Sequence, residues 1–171
     1  MKHGWVQEFA EKDTAPRRFR TPEGKKQVPT MHLIAELGYA VTEEWQVVSL
    51  SAHGGVNAVI LLPYGDLARF EPTLTPNSVV DLLAASTPRQ VDLRLPTFTV
   101  SEPVPLHVTE GGINSAPTVN EPSQAEETAG ITWMCGIAED PVLVKVDRPF
   151  LFAVLHEETL YCVVRVTDPV T

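Results

Sequence analysis

The stretch from Val142 to Pro169 reads VLVKVDRPFLFAVLHEETLYCVVRVTDP. β-Branched, leucine and aromatic residues dominate three runs within it, and such runs are typical of strands. The three predicted strands are Val142 to Val146, Phe150 to His156 and Leu160 to Val166. Glu157-Glu158-Thr159 is short enough to be a tight connection between the last two. The chain is therefore predicted to end in β-structure.

An upstream segment has the pattern of a hairpin. The chain contains 15 prolines and 10 glycines, which divide it into short segments and favour strands and turns over long helices. Trp45 to Leu50 and Asn57 to Leu62 are predicted strands, and Pro63 ends the second. Ser51 to Gly55 supplies the turn, because Gly54 and Gly55 can adopt positive φ.

Leu67 to Ala85 is the best helical candidate, because its apolar residues recur at roughly helical spacing. Pro72 and Pro76 prevent one continuous helix, so we expect two short ones. Thr75 can cap the second helix, with Pro76 at its first position.

The segments that follow differ in composition. Arg89 to Val100 alternates, with Val91, Leu93 and Leu95 on one face and polar residues on the other, which predicts a half-buried strand. Ser101 to Gly130 is rich in Pro, Glu, Ser, Thr and Gly and poor in large apolar residues. That composition predicts loop or disorder.

Composition and charge restrict the class of partner. The chain has 171 residues, 43% of them hydrophobic, which suits one globular domain with a modest core. Its net charge of −9 makes nucleic acid and membrane surfaces poor partners. The Lys and Arg residues are scattered, and the one loose group is interpreted as a solvated loop; this group is Arg17, Arg18, Arg20, Lys25 and Lys26.

No residue pattern indicates a cofactor, a metal site or a catalytic constellation. Cys135 and Cys162 are interpreted as two unpaired thiols, and the five histidines are too widely spaced for a recognisable metal pair. The longest apolar run, near Ala58 to Pro63, is too short to span a membrane. No secretory signal follows Met1, so this sequence does not support export.

Three blocks, in order along the chain, resemble the serpins, a family of serine-protease inhibitors. The first runs from Trp5 to Met31 and is similar to the segment after the third strand of the serpin central sheet. The second, Tyr39 to Leu95, leads into Val91-Asp92-Leu93-Arg94-Leu95-Pro96-Thr97-Phe98, which is similar to a serpin strand motif. The third combines Asp147 to Phe152 with Arg165 to Pro169, similar to the serpin ending. Within the family, the amino-acid sequence of these blocks is similar to that of bacterial serpins.

The resemblance implies an α+β, mostly β fold. This would be a truncated serpin-like fold with antiparallel sheets, two short helices and a long exposed loop similar to a serpin reactive-centre loop. One partial domain, 1–171, would comprise a sheet-and-helix portion (1–100), a shortened connection with the loop (101–141) and the C-terminal strands (142–171).

The resemblance also implies that the chain is an inhibitor of serine proteases and not an enzyme. A serpin offers a bait bond to a serine protease, whose activated serine attacks it, and the cleaved loop then inserts into the central sheet. The hinge would comprise Glu121, Pro122, Ser123 and Gln124, and the reactive bond would lie near Ile137-Ala138. An apolar residue before the bond favours elastase-like or subtilisin-like proteases. The family resemblance implies an extracellular location.

Several features depart from the family pattern. Pro122 lacks the N–H that a central strand needs, and insertion would bury the carboxylate of Glu126 or Glu127. The family's N-terminal half and part of the segment from Leu106 to Val119 are absent from this sequence, so strand edges and apolar faces should be uncovered and favour self-association. A non-inhibitory remnant, a binding module, a plain protease substrate and a loose linker remain alternatives.

Overall fold

The computed structural model describes residues 2–100, 106–115, 140–157 and 159–169. Two helices are α1 (Leu67–Phe70) and α2 (Pro76–Ala85), and single 3-10 turns lie at Glu11–Asp13 and Glu71–Thr73. The strands of the described residues are β1 (Lys2–His3), β2 (Ala15–Thr21), β3 (Gly24–Val41), β4 (Trp45–Ala52), β5 (Val56–Pro63), β6 (Thr87–Pro96), β7 (Phe98–Val100), β8 (Leu106–Thr109), β9 (Gly112–Ser115), β10 (Val142–Lys145), β11 (Phe150–His156) and β12 (Thr159–Val166).

These strands form two sheets. The small sheet has the order β1-β9-β8-β7, and its neighbouring strands are all antiparallel. The large sheet has the order β10-β6-β3-β4-β5-β11-β12, with β2 paired to the first part of β3. Its neighbouring strands are antiparallel except for β10 and β6, which run parallel. The mostly β, antiparallel fold with two short helices expected from the sequence is confirmed.

The large sheet is the middle of three layers, with the small sheet on one face and the helices on the other. Strand β11 shows this directly, because Phe150 and Phe152 pack toward the small sheet while Leu151 and Leu155 pack toward the helices. The ring of Phe98, from the small sheet, meets those of Phe150 and Phe152 at centroid distances of 5.7 and 5.2 Å. A central strand covered on both faces needs an unbroken apolar run, which explains the composition of β11.

The chain passes from one sheet to the other at Thr97. The predicted strand from Arg89 to Val100 is interrupted there, because β6 belongs to the large sheet and β7 to the small one. The Thr97 N–H donates to the Pro29 carbonyl at 3.0 Å, so the buried bend remains hydrogen-bonded.

The local predictions at turns and helix ends are confirmed. Gly54 and Gly55 have φ of 83° and 73° between β4 and β5. Thr75 caps α2 in a reciprocal capping box with Ser78, and Pro76 opens the helix. Glu157, with φ of 47°, lies in the short turn that lets His156 pair with Thr159.

Two interpretations of loops were wrong. Residues 106–115 form the β8–β9 hairpin although the surrounding composition predicted a loop, because Leu106, Val108 and Ile113 alternate with polar residues and are buried. The cluster that begins at Arg17 is the β2–β3 hairpin, with a register that runs from Ala15↔Thr30 to Thr21↔Gly24.

The expected uncovered apolar face is not found on the described part of the small sheet, whereas Ile34, Leu143 and Tyr161 of the large sheet are 54%, 47% and 68% exposed. The outward face of the small sheet carries a cross-strand row formed by Lys2, Asn114, His107 and Thr99. All four side chains are partly or fully exposed to solvent, and each is polar. Alternation along each strand places the apolar residues on the inner face, so the described outer face can meet water directly.

Candidate functional site

The predicted bait segment, Val119 to Pro141, lies along the chain between β9 of the small sheet and β10 of the large sheet. The described chain stops at Ser115 in β9 and resumes at Asp140, just before β10. The sequence-predicted site residues lie outside the described residues; these are Glu121, Pro122, Ser123, Gln124, Ile137 and Ala138. The part of the site that the structure does describe is therefore the pair of anchors at which residues 116–141 begin and end.

The N-terminal anchor is the β8–β9 hairpin. Its register runs from Leu106↔Ser115 to Thr109↔Gly112, and the turn is Glu110-Gly111. Trp5 Nε1 donates to the Thr109 carbonyl at 2.8 Å. Thr14 Oγ1 donates to a carboxylate oxygen of Glu110 at 2.6 Å, so both the strand and the turn are tied to the N-terminal residues.

Gly112 allows β1 to lie directly against β9. Its φ is +120°, in a region that residues with a side chain rarely adopt, and a Cβ placed there would lie 2.0 Å from the His3 carbonyl oxygen. Any larger residue would collide with backbone rather than with a flexible side chain. The close approach that pairs His3 with Ile113 thus requires glycine at position 112.

Residues 2–6, which include β1, are held against both sheets. Beyond the pairing of β1 with β9, the N–H of His53 donates to the Gly4 carbonyl at 2.8 Å and that of Val6 to the Ser51 carbonyl at 2.9 Å. His3 Nδ1 donates to the His53 carbonyl at 2.8 Å. The free edge of β9 is therefore closed by a segment that the large sheet also holds.

The C-terminal anchor is β10, which lies parallel to β6 with Val142 opposite Val91. Val144 is fully buried, and beyond the strand Val146 donates its N–H to the Arg94 carbonyl at 2.9 Å. Arg148 Nε donates to the Pro63 carbonyl at 2.8 Å. Residues 116–141 consequently end on a strand that side chains and backbone both fix.

A basic groove lies beside this second anchor. It consists of two adjoining cavities of about 400 and 350 Å³, which share Arg18 and Asp147. The cations that line the groove are Arg17, Arg18, Arg20, Lys25, Arg94 and Lys145. The sequence indicated the first four as a loose group, whereas Arg94 and Lys145 join them only because β6 pairs with β10 in the fold.

The remaining chemically interesting side chains have structural partners. His32 Nε2 bonds Asp92 Oδ1 at 2.8 Å, and His107 Nδ1 bonds the Thr99 hydroxyl. Cys162 is half-buried against the core, and burial raises the pKa of its thiol. No set of three or more His, Cys, Asp and Glu among the described residues is arranged to hold a metal ion.

Burial, Tyr39 and Arg148 act on the phenol of Tyr64. Desolvation raises its pKa most, Tyr39 raises it further, and Arg148 opposes both.

No helix in the described part of the chain has the length and apolar character needed to cross a membrane.

Comparisons with known proteins agree on one family. The model of the family described as serpin (serine protease inhibitor) matches residues 1–116. An uncharacterized serpin-like protein of Thermococcus kodakarensis is 29% identical over 100 residues, which are 57% of this chain and 24% of that relative. The chain therefore spans about a quarter of the length of this relative.

Two solved structures share the fold. Serpin48 of the insect Tenebrio molitor, a highly specific serpin, matches with a TM-score of 0.72 and 17% identity over 97% of this chain and 53% of its own. Thyroxine-binding globulin in complex with thyroxine matches with a TM-score of 0.75 and 17% identity over 99% of this chain and 55% of its own. The architecture, with its two sheets and short helices, is a serpin fold. The family match covers more than half of the sequence, and the chain belongs to the serpin family.

Proposed function

We propose that the chain is an inhibitor of serine proteases that presents residues 116–141 as a bait segment. The observation that carries this proposal is the anchoring of both ends, at Ser115 in the small sheet and at Val142 in the large one. A substrate-like segment with two fixed ends loses less conformational freedom on binding than a free peptide does. Family membership supports the same function.

The proposed reactive bond is Ile137-Ala138. A protease with an apolar specificity pocket, elastase-like or subtilisin-like, would accept the isoleucine side chain before the bond. The chemistry would belong to the protease, whose serine attacks the carbonyl carbon of Ile137 and releases the amino group of Ala138. The inhibitor itself would supply only position and shape.

The proposed mode of inhibition is substrate-like binding rather than insertion of the cleaved segment into a sheet. For the segment after Ser115 to add to the free edge of β9, it would have to displace β1. Residues 2–6 are also bonded to the large sheet through Gly4 and Val6, so displacing them would break contacts on both sides. The small sheet favours keeping its own edge strand.

The free-energy terms for adding a strand to the small sheet also disfavour insertion of the cleaved segment. The strands of the small sheet have two to four residues, so an added strand would gain only a few hydrogen bonds of about 0.5–1.5 kcal/mol each. Ordering each added residue costs about 1–2 kcal/mol of backbone entropy. Burying the carboxylate of Glu126 or Glu127 costs more still. The hydrogen bonds gained by an added strand therefore do not by themselves offset the entropy of ordering it.

Inhibition assays with an elastase-like and a subtilisin-like protease test the proposal. We expect reversible, competitive inhibition, slow cleavage at Ile137-Ala138 mapped by mass spectrometry, and no adduct that survives SDS. Ile137→Arg should move the preference toward a trypsin-like protease by about tenfold or more, because its pocket binds a basic side chain. The control Ile131→Arg makes the same change within the segment and should leave the preference unaltered. Absence of both inhibition and cleavage between 116 and 141 would refute the proposal.

A second candidate is a non-inhibitory binding module. The closed edge of β9 favours it, because a chain that does not insert a strand can keep the serpin fold for another purpose. Thyroxine-binding globulin, which shares the fold, was solved with thyroxine bound. Rapid cleavage of residues 116–141 without any inhibition of the protease would select this candidate over the first.

A further inference from the structure

The basic groove contrasts with the rest of the molecule. The chain carries a net charge of −9 and only 13 Lys and Arg, yet six of those cations line two adjoining cavities. Asp147 is the one carboxylate that lines these cavities, so the groove carries a large excess of positive charge that attracts anions. The groove is thus the part of the described surface with the clearest preference for a charged partner.

Most of the charge in the groove is uncompensated. Among the described residues, no ion pair engages Arg17, Arg18, Arg20, Lys25 or Lys145. Arg94 Nε lies 3.6 Å from Asp92 Oδ1, too far for a hydrogen bond, and His32 already bonds that oxygen at 2.8 Å. Asp147, the one acidic residue that lines the groove, is paired with Arg148 Nη1 at 3.0 Å.

Two of the arginines that line the first cavity have an enclosed Nε without a hydrogen bond. The Nε atoms of Arg17 and Arg94 are shielded from solvent and make no hydrogen bond. An enclosed N–H donor without an acceptor costs about 1–3 kcal/mol. The two Nη nitrogens of an arginine can also bind both oxygens of a carboxylate, and this mode does not require Nε.

We propose that the groove binds a short acidic segment of another polypeptide. The two adjoining cavities of about 400 and 350 Å³ have room for a few carboxylate side chains. A long polyanion such as nucleic acid is disfavoured, because it would extend beyond the groove onto the remainder of this acidic protein, which repels it. The groove lies beside the strand on which residues 116–141 end, but the proposal does not depend on protease inhibition.

Binding of a fluorescein-labelled hexaglutamate peptide, followed by fluorescence anisotropy, tests the proposal. We expect saturable binding at about 50 mM salt that weakens as salt is raised, because exposed charges are screened. Arg18→Glu should weaken binding at least about tenfold, since Arg18 lines both cavities. Asp147→Asn should tighten it by removing the repelling carboxylate, and a gain of affinity cannot come from misfolding.

The control is Lys2→Glu, the same change of charge on the exposed edge strand of the small sheet. It should leave the affinity within about twofold of the unmodified chain. The proposal fails if no saturable binding is observed, or if Lys2→Glu weakens binding as much as Arg18→Glu. It also fails if single-stranded DNA of equal charge, or vesicles with anionic lipid, bind the groove more tightly than the peptide.

Discussion

Gly112 is the residue on which the closed edge of the small sheet depends. Its φ of +120° and its approach to the His3 carbonyl leave no room for a Cβ. Gly112→Ala should lower the free energy of unfolding by about 2–4 kcal/mol, because it adds backbone strain and separates β1 from β9. Urea unfolding followed by tryptophan fluorescence measures the change.

The neighbouring glycine provides the matched control for that prediction. A Cβ on Gly111 would meet nothing closer than the Thr109 hydroxyl at 3.7 Å, an ordinary contact, and its φ is not in the left-handed region. Gly111→Ala should therefore change stability by less than about 0.5 kcal/mol. Equal effects at both positions would show that the close approach at 112 does not exist.

The thiol of Cys162 predicts a pH dependence. Burial raises its pKa above the ordinary value of 9.0, so the folded chain holds this proton more tightly than the unfolded chain does. The associated stability is fully present below about pH 9 and is lost as pH rises through the folded pKa. Unfolding curves at about pH 8 and pH 10.5 should show a smaller loss of stability for Cys162→Ser than for the unmodified chain. Identical losses would contradict the assignment.

At the scale of elements, sequence patterns predicted those with strong local signals. β4, β5 and α2 were predicted because their signals lie in consecutive residues. These signals are a glycine turn between the two strands, an apolar run in β5 and a proline at the start of α2. The β8–β9 hairpin was missed because its alternation covers only four residues per strand and its composition is rich in Gly, Thr and Ser. Its stability comes from packing across the sheets, which local composition does not reveal.

Two adjacent residues of β9 test that explanation. Ile113 is 3% exposed and belongs to the core between the sheets, whereas Asn114 lies on the outward face. Ile113→Ala should cost about 2–5 kcal/mol, the usual range for removing a buried aliphatic side chain. Asn114→Ala should stay within about 0.5 kcal/mol. Similar thermal unfolding of both variants would mean that residues 112–115 are not a packed strand.

At the scale of the whole molecule, the family was predictable and the basic groove was not. Blocks such as Val91 to Phe98 consist of consecutive residues and follow the order found in serpins, so their resemblance to the family can be recognised without knowledge of the fold. The groove joins Arg18 to Arg94 and Lys145, which are far apart in sequence and meet only through the pairing of β2, β3, β6 and β10. The reactive bond near Ile137 and the hinge at Glu121 remain predictions, since they lie outside the described residues.

This chain keeps the serpin fold while β1 covers the edge of β9 in its small sheet, and the most direct test of that arrangement is the melting temperature before and after residues 116–141 are cleaved. A chain that cannot add a strand should melt within about 3 °C of the intact chain, since about 1 kcal/mol moves the midpoint by about 2–4 °C at this size. A rise of more than about 10 °C after cleavage would mean that the segment enters the sheet and displaces β1, and would contradict the account.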